Sequence, residues 1–119
     1  PDDEHVAASG TDASGQWVRG RPYDPLADML LQYSEFVSVH SGLFSTAEEA
    51  AIFGEHMLGE EFEGRYYEQT GYTGCLLWLD KATGTSAALL TNATATDSLE
   101  RWEEFSAGIL ETIKQGVRR

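Results

Sequence analysis

A chain of 119 residues suits one domain and is too short for two. With 41% apolar and 24% charged residues, it has the composition of a globular protein rather than a disordered one. Eight basic against twenty acidic side chains leave a net charge of −12, which argues against non-specific nucleic-acid binding and against anionic membranes, because both need a positive field facing phosphate.

Residues 1–22 hold three glycines among several Ser, Thr and Asp, and read as an irregular arm ahead of a single domain over 23–119. A short extended piece is expected at Gln16-Trp17-Val18-Arg19, with Trp17 packed onto the body because aromatic rings gain much from burial. The first helix is predicted over about 25–35, capped by Asp24 with Pro25 in its first position and Leu26, Met29, Leu30 and Tyr33 on one face. Phe36-Val37-Ser38-Val39 alternates as a short strand does, and Gly42 breaks it. The second helix is predicted over 45–58: Ser45 with Glu48 has capping-box spacing, Ala50, Phe53, Met57 and Leu58 form the buried stripe, and Gly59 is a left-handed terminator. Glu60-Glu61-Phe62-Glu63-Gly64 reads as a charged loop.

A β-hairpin is predicted over 72–92. The run Cys75-Leu76-Leu77-Trp78-Leu79 is too continuously apolar for a half-exposed strand, so both its faces should be covered. Lys81-Ala82-Thr83-Gly84 supplies the turn, and the small Ala87 and Ala88 leave room for close packing. The last helix is predicted over 98–115, capped by Asp97 or Ser98 and ended by Gly116. Leu99, Trp102, Phe105, Ser106, Ile109 and Ile113 should lie across the sheet. The fold class is therefore α+β, an antiparallel sheet built on the hairpin with helices packed against it.

Few residues point to chemistry. No Ser precedes a Lys by three positions and no Gly-x-Ser-x-Gly elbow occurs, so the chain has no catalytic nucleophile system of those kinds. Cys75 is the single cysteine, which excludes an internal disulfide, and its place in an apolar strand marks a small buried hydrophobe. His5, His40 and His56 lack metal-ligand spacing, and His56 suits a helix C-terminus. Glu55, Glu60, Glu61, Glu63 and Glu68 do not match a calcium loop and read as a solvated acidic face. Asn92-Ala93-Thr94 has glycosylation spacing, which chance explains. No metal or cofactor is expected. No apolar run reaches the roughly 20 residues of a membrane span, and Pro1-Asp2-Asp3-Glu4 is acidic where an export signal is basic, so a soluble protein is expected. A start at Pro1 implies a trimmed or excised end.

Gln69-Thr70-Gly71-Tyr72-Thr73-Gly74 remains. Two glycines at the start of a bulky strand imply a close approach to the backbone: a tight turn, or a strand edge whose amides and Thr hydroxyl meet a ligand.

At this point a family resemblance emerges. His40-Ser41-Gly42-Leu43-Phe44-Ser45-Thr46-Ala47 through Met57-Leu58-Gly59 resembles a segment common in serine β-lactamase-like hydrolases, which include esterases, D-aminopeptidases and penicillin-binding-protein homologues. Thr70-Gly71-Tyr72-Thr73-Gly74-Cys75-Leu76-Leu77-Trp78-Leu79-Asp80 through Leu89-Leu90-Thr91-Asn92 is similar to the strand of the family's third motif and its partner, and Val18-Arg19-Gly20 with Tyr23-Asp24-Pro25 is weakly similar to an upstream loop. The resemblance covers most of residues 18–92 and implies the C-terminal portion of such a hydrolase. It places Gln69-Thr70-Gly71 on the Lys/His-Thr-Gly motif. By it, the strand pairs with the acyl part of a substrate, the Thr70 hydroxyl holds a carboxylate or polar group, and the Tyr72 amide forms half an oxyanion hole. Substrate-binding residues are then Gln69, Thr70, Gly71 and Tyr72. Three departures stand beside it: Gln69 replaces a cation or His, the family's nucleophile and tyrosine motifs are missing, and the interval between the two segments is short.

Two complete small folds also suit the residues. One is the ferredoxin-like dimer of antibiotic-biosynthesis monooxygenases, acting on an apolar small molecule, with Gln69–Gly74 and Ser98-Leu99-Glu100-Arg101-Trp102 in corresponding places. The other is a roadblock- or profilin-like interaction module without activity. The expected partner is a second protein chain or a second copy, with a small-molecule substrate under the enzymatic readings.

Overall fold

A computed structural model describes residues 5–34, 38, 41–59, 62–95 and 99–117. Its element order is β1 (Gly10–Thr11), β2 (Trp17–Val18), α1 (Pro25–Ser34), α2 (Ala47–Leu58), β3 (Tyr66–Gly71), β4 (Cys75–Asp80), β5 (Thr85–Leu89), a 3-10 turn at Ala93–Ala95, and α3 (Leu99–Val117). This is a mixed α+β fold.

The apolar run is the middle of the main sheet, whose order is β3-β4-β5, antiparallel throughout. Residues alternate between the two faces of a strand, so Leu76 and Trp78 look one way and Leu77 and Leu79 the other. Helix α3 covers the first face, where Leu76, Trp78 and Leu110 form the core with Ala87, Leu89 and Ile113 packed against it. Helix α2 covers the second, lying over β5 and β4. Continuous hydrophobicity from Cys75 to Leu79 thus reflects burial on both sides, as its pattern required. A third strand, Tyr66–Gly71, stands outside the predicted hairpin. It is an edge strand, mostly exposed, and needs no apolar face to be held by the ladder.

Helix α2 begins at Ala47, two residues inside the predicted range 45–58, and its cap lies one residue later than expected. Thr46, not Ser45, is the cap: its hydroxyl accepts from the Glu49 amide at 3.1 Å, and Glu49 accepts from the Thr46 amide at 3.0 Å. Gly59 is right-handed at φ −77°, so the helix does not end in a left-handed residue. The buried contact of α2 is Gly54, while the predicted stripe member Phe53 is 60% exposed. A Cβ on Gly54 would lie 2.1 Å from Ser86 Oγ and 2.7 Å from Leu79 Cδ2. The missing side chain lets the helix backbone rest on β5, where the Ser86 hydroxyl donates to the Ala51 carbonyl at 2.8 Å.

Helix α3 turns Ser106 and Leu110 inward, with Trp102, Ile109 and Ile113 half-buried. Phe105, placed on the buried face by the sequence reading, is 55% exposed. The helix passes through Gly116 to Val117 instead of stopping there. The predicted caps Asp97 and Ser98, and the side chain of Leu99, lie outside the described residues.

In α1 the predicted cap is present: Asp24 Oδ1 accepts from the Ala27 amide at 2.8 Å. The predicted face is not the packed one. Leu26, Met29 and Tyr33 are exposed, and the contact is Ala27, against which the backbone of Gly42 closes with Pro22. Only a small side chain permits that approach. Of the strand predicted at Phe36-Val37-Ser38-Val39, only the buried Ser38 is described; the other three residues, with His40, Glu60 and Glu61, lie outside the described residues.

The arm is held by other groups than Trp17, which is 58% exposed. Strands β1 and β2 form a two-residue ladder. Ala8 and Gly10 are buried, the Asn92 side-chain amide donates to the Ala8 carbonyl at 3.4 Å, and the Thr94 hydroxyl donates to the Ser9 carbonyl at 3.3 Å. Gly10 leaves room for the Tyr23 ring, 3.1 Å from where its Cβ would lie, and the ring of Trp17 is left outside.

Candidate functional site

The end of β3 and the turn after it gather all four predicted site residues. Gly71 starts a turn closed by the Gly74 amide donating to the Gly71 carbonyl at 2.9 Å, with Gly74 at φ +92°. Of the two glycines thought to admit a close neighbour, Gly74 meets the chain itself: a Cβ there would lie 2.2 Å from Thr91 Oγ1, 2.8 Å from the Ala93 Cβ and 3.0 Å from Trp102 Nε1. At Gly71 the nearest atom to such a Cβ is 3.6 Å away, on Cys75. Gly74 is a tight-turn glycine packed by its own protein. At Gly71 a side chain would make ordinary contact with Cys75 and meet nothing closer.

Strand parity decides which backbone groups are free. The Lys81 amide donates to the Arg65 carbonyl at 3.0 Å across the β3–β4 ladder. Antiparallel pairs alternate in their bonding, so Tyr67, Gln69 and Gly71 turn their amides and carbonyls toward β4. Tyr66, Glu68 and Thr70 turn theirs outward, where no strand of the described residues pairs with them. Gln69, Thr70, Gly71 and Tyr72 are all exposed. The Gln69 side-chain amide donates to the Thr70 carbonyl at 3.2 Å and so occupies one outward acceptor. Tyr72 stacks on Tyr23 with ring centroids 5.8 Å apart and planes 26° from parallel.

Tyr23 was not among the predicted site residues. It comes from the segment just before α1, and the only sequence signal for it was the likeness of Tyr23-Asp24-Pro25 to an upstream loop. The site therefore offers outward peptide groups, one hydroxyl, one carboxamide and an aromatic pair. These groups suit pairing with an extended, polar ligand. Beside the site on β3 stands Glu68, whose carboxylate is 3.9 Å from Lys114 Nζ.

The other candidates stand apart from this edge. The Cys75 thiol is half-buried and donates to the Thr91 carbonyl at 3.5 Å. His56 is exposed in the last turn of α2, and Glu55, Glu63 and Glu68 are exposed. Among the described residues no three His, Cys, Asp or Glu side chains come close enough to hold a metal ion, and no helix is long and apolar enough to cross a membrane.

Compared with models of protein families, with curated protein sequences and with solved structures, the chain matches none.

Proposed function

We propose that β3 is the substrate-pairing border of an acyl-transfer pocket of the serine β-lactamase-like kind, and that the nucleophile lies on polypeptide outside these residues. The observation that carries the reading is the open outer side of β3, with Gln69, Thr70, Gly71 and Tyr72 exposed together at its end. An acyl chain laid along this margin gains ladder bonds from Glu68 and Thr70. The Thr70 hydroxyl receives a polar group. The amide of Tyr72 serves charge developing on the acyl oxygen, a kind of contact worth several kcal/mol when preorganised. Gln69 carries no charge, so the pocket favours neutral acyl groups over anionic ones. The chain itself has no Ser-x-x-Lys.

The oxygenase-type alternative draws less support, because the sequential order β3-β4-β5 differs from the interleaved strands of a ferredoxin-like sheet.

A fluorophosphonate, which traps activated serines, tests the proposal on the protein isolated from its source. The expected label sits on a Ser-x-x-Lys segment outside residues 1–119, and Thr70→Val slows labelling by roughly tenfold or more, as loss of a transition-state contact does. Label on this chain, or a rate indifferent to Thr70→Val, overturns it.

A further inference from the structure

Tyr23 reaches the ligand edge from a distant part of the chain, and the arm that seats it also grips the same turn from another side. Gly71–Gly74 is a four-residue turn closed by the Gly74 amide, which donates to the Gly71 carbonyl at 2.9 Å. Tyr72 stands at its first corner, so the Tyr72 amide takes no part in that bond. Glycines at both ends leave the turn's backbone free to take other shapes. Something else has to hold it. The side chain of Tyr72 is 69% exposed, and its ring lies against that of Tyr23.

Tyr23 is itself fixed on three sides. Before it, the Ser9 hydroxyl donates to the Arg21 carbonyl at 2.8 Å, and the Arg21 guanidinium pairs with Asp28. After it, Asp24 caps α1 through the Ala27 amide. Its ring closes on Gly10, where a Cβ would lie 3.1 Å from Cε2 and 3.2 Å from Cδ2. Gly10 is buried and belongs to the β1–β2 ladder, opposite Val18.

The arm returns to the turn by a second route. The Thr94 hydroxyl donates to the Ser9 carbonyl at 3.3 Å, and one residue earlier the Ala93 amide donates to the Thr73 carbonyl at 2.9 Å. Contacts thus run in a closed circuit: Tyr72 to Tyr23, Tyr23 to Gly10, Ser9 to Thr94, and Ala93 to Thr73, beside the starting residue. The circuit grips both corner residues of the turn, one by a ring and one by a carbonyl. Neither grip uses the Tyr72 amide. A ring stack suits this place, because a hydrogen bond would consume the group that has to stay available.

We infer that Tyr23 is a positioning residue of the ligand edge: seated on Gly10 of the arm, its ring holds Tyr72 and with it the corner amide after β3. The inference rests on the proposed function for what that amide does, and on the contact circuit alone for what holds it.

Amide exchange in the 119-residue chain reads the hold directly. Tyr23→Leu should speed exchange of the Gly74 amide roughly fivefold or more, while the Lys81 amide, bonded to Arg65 at the far end of the β3–β4 ladder, keeps its rate. Tyr23→Phe retains the ring and should retain the natural rate. Gly10→Val drives methyl groups at the Tyr23 ring without touching Tyr72 and should act as Tyr23→Leu does, which covers the case that one variant does not fold. Tyr72→Leu should free the Gly74 amide equally, and adding Tyr23→Leu to it should change little, because the two rings act as one contact. Three results overturn the inference: Gly74 and Lys81 amides quickening together, no change at Gly74, or additive effects of the two leucines.

In the protein isolated from its source, Tyr23→Leu should lower the maximal rate of fluorophosphonate labelling about fivefold at an unchanged half-saturating concentration, since the Tyr72 amide serves charge that develops during reaction. A rate indifferent to Tyr23→Leu in a protein that does react overturns the positioning role. A natural protein that takes no label sinks the ligand-edge reading instead, and exchange at Gly74 still decides whether Tyr23 holds the turn.

Discussion

Asp80 is the most constrained ionisable side chain described in the protein. Its carboxylate is 3% exposed and bonded in parallel to Arg65, Nε to Oδ1 at 3.0 Å and Nη2 to Oδ2 at 3.1 Å, with the Ala82 amide at 2.9 Å. The Arg65 hydrogen bonds are the main cause that holds its pKa down at about 2, against an ordinary value of 3.8. A carboxyl whose pKa is lower in the folded state stabilises the fold above its ordinary pKa and ceases to do so as pH falls through the folded value. The melting temperature should accordingly drop between about pH 4 and pH 2, and Asp80→Asn should remove much of that slope in a thermal series across the same range. Arg65→Met leaves a buried carboxylate without its partner and should lower the melting temperature at neutral pH. Arg65→Lys should recover only part of the loss, because an ammonium cannot make the paired fork. Equal melting of the Lys variant and the natural chain would show that the fork has no special weight.

At the scale of elements, the seating of α2 rests on one absent side chain. Gly54→Ala places a methyl 2.1 Å from Ser86 Oγ and must push helix and strand apart. Overpacking of this kind costs about 1–3 kcal/mol, more than the helix gains from alanine. Adding Ser86→Gly removes the nearest obstacle and should recover part of the loss in urea titrations, even though it also gives up the Ser86–Ala51 bond. The capping box is a smaller matter: Thr46→Ala should cost about 0.5–2 kcal/mol. These elements also show what the sequence makes readable. The α2 and α3 segments, the Lys81–Gly84 turn and the double-sided burial of Cys75–Leu79 follow from periodicity and turn chemistry, and the structure has them. Which residues of α1 and α2 are buried does not follow, because Ala27 and Gly54 are chosen for close approach to distant segments and carry no hydrophobic signal. β3 was hidden for a related reason, since Tyr-Tyr-Glu-Gln-Thr-Gly on an exposed edge shows no alternation of apolar with polar. The ligand-edge residues were named from a resemblance and a glycine pattern; their joint exposure is visible only once the strand is seen to be an edge.

The whole molecule is open for its length. Its radius of gyration is 15.8 Å, against about 13.5 Å for a compact domain of this size. The buried apolar set is small, with Leu76, Trp78, Leu79 and Leu110 as its large members, while Trp17, Leu26, Met29, Tyr33, Leu43, Phe53 and Phe105 are exposed. A charge of −12 on so small a body opposes its own compaction. Raising NaCl from about 20 mM to about 0.5 M shortens the Debye length from roughly 20 Å to a few ångströms, and the melting temperature of the isolated chain should rise with it. A fall would mean that the ion pairs of Arg65 with Asp80 and of Arg21 with Asp28, whose carboxylate lies 2.5 Å from Arg21 Nη2, outweigh the repulsion.

The order of the strands sets a distance. A strand added at β5 would lie three strand spacings, about 14 Å, from β3. Any group it lends to a molecule lying along Glu68 and Thr70 has to travel round an end of the sheet, past the Gly71–Gly74 turn or past Arg65, on at least four or five extended residues. A strand added at β5 would thus extend the sheet and still leave the other margin without chemistry.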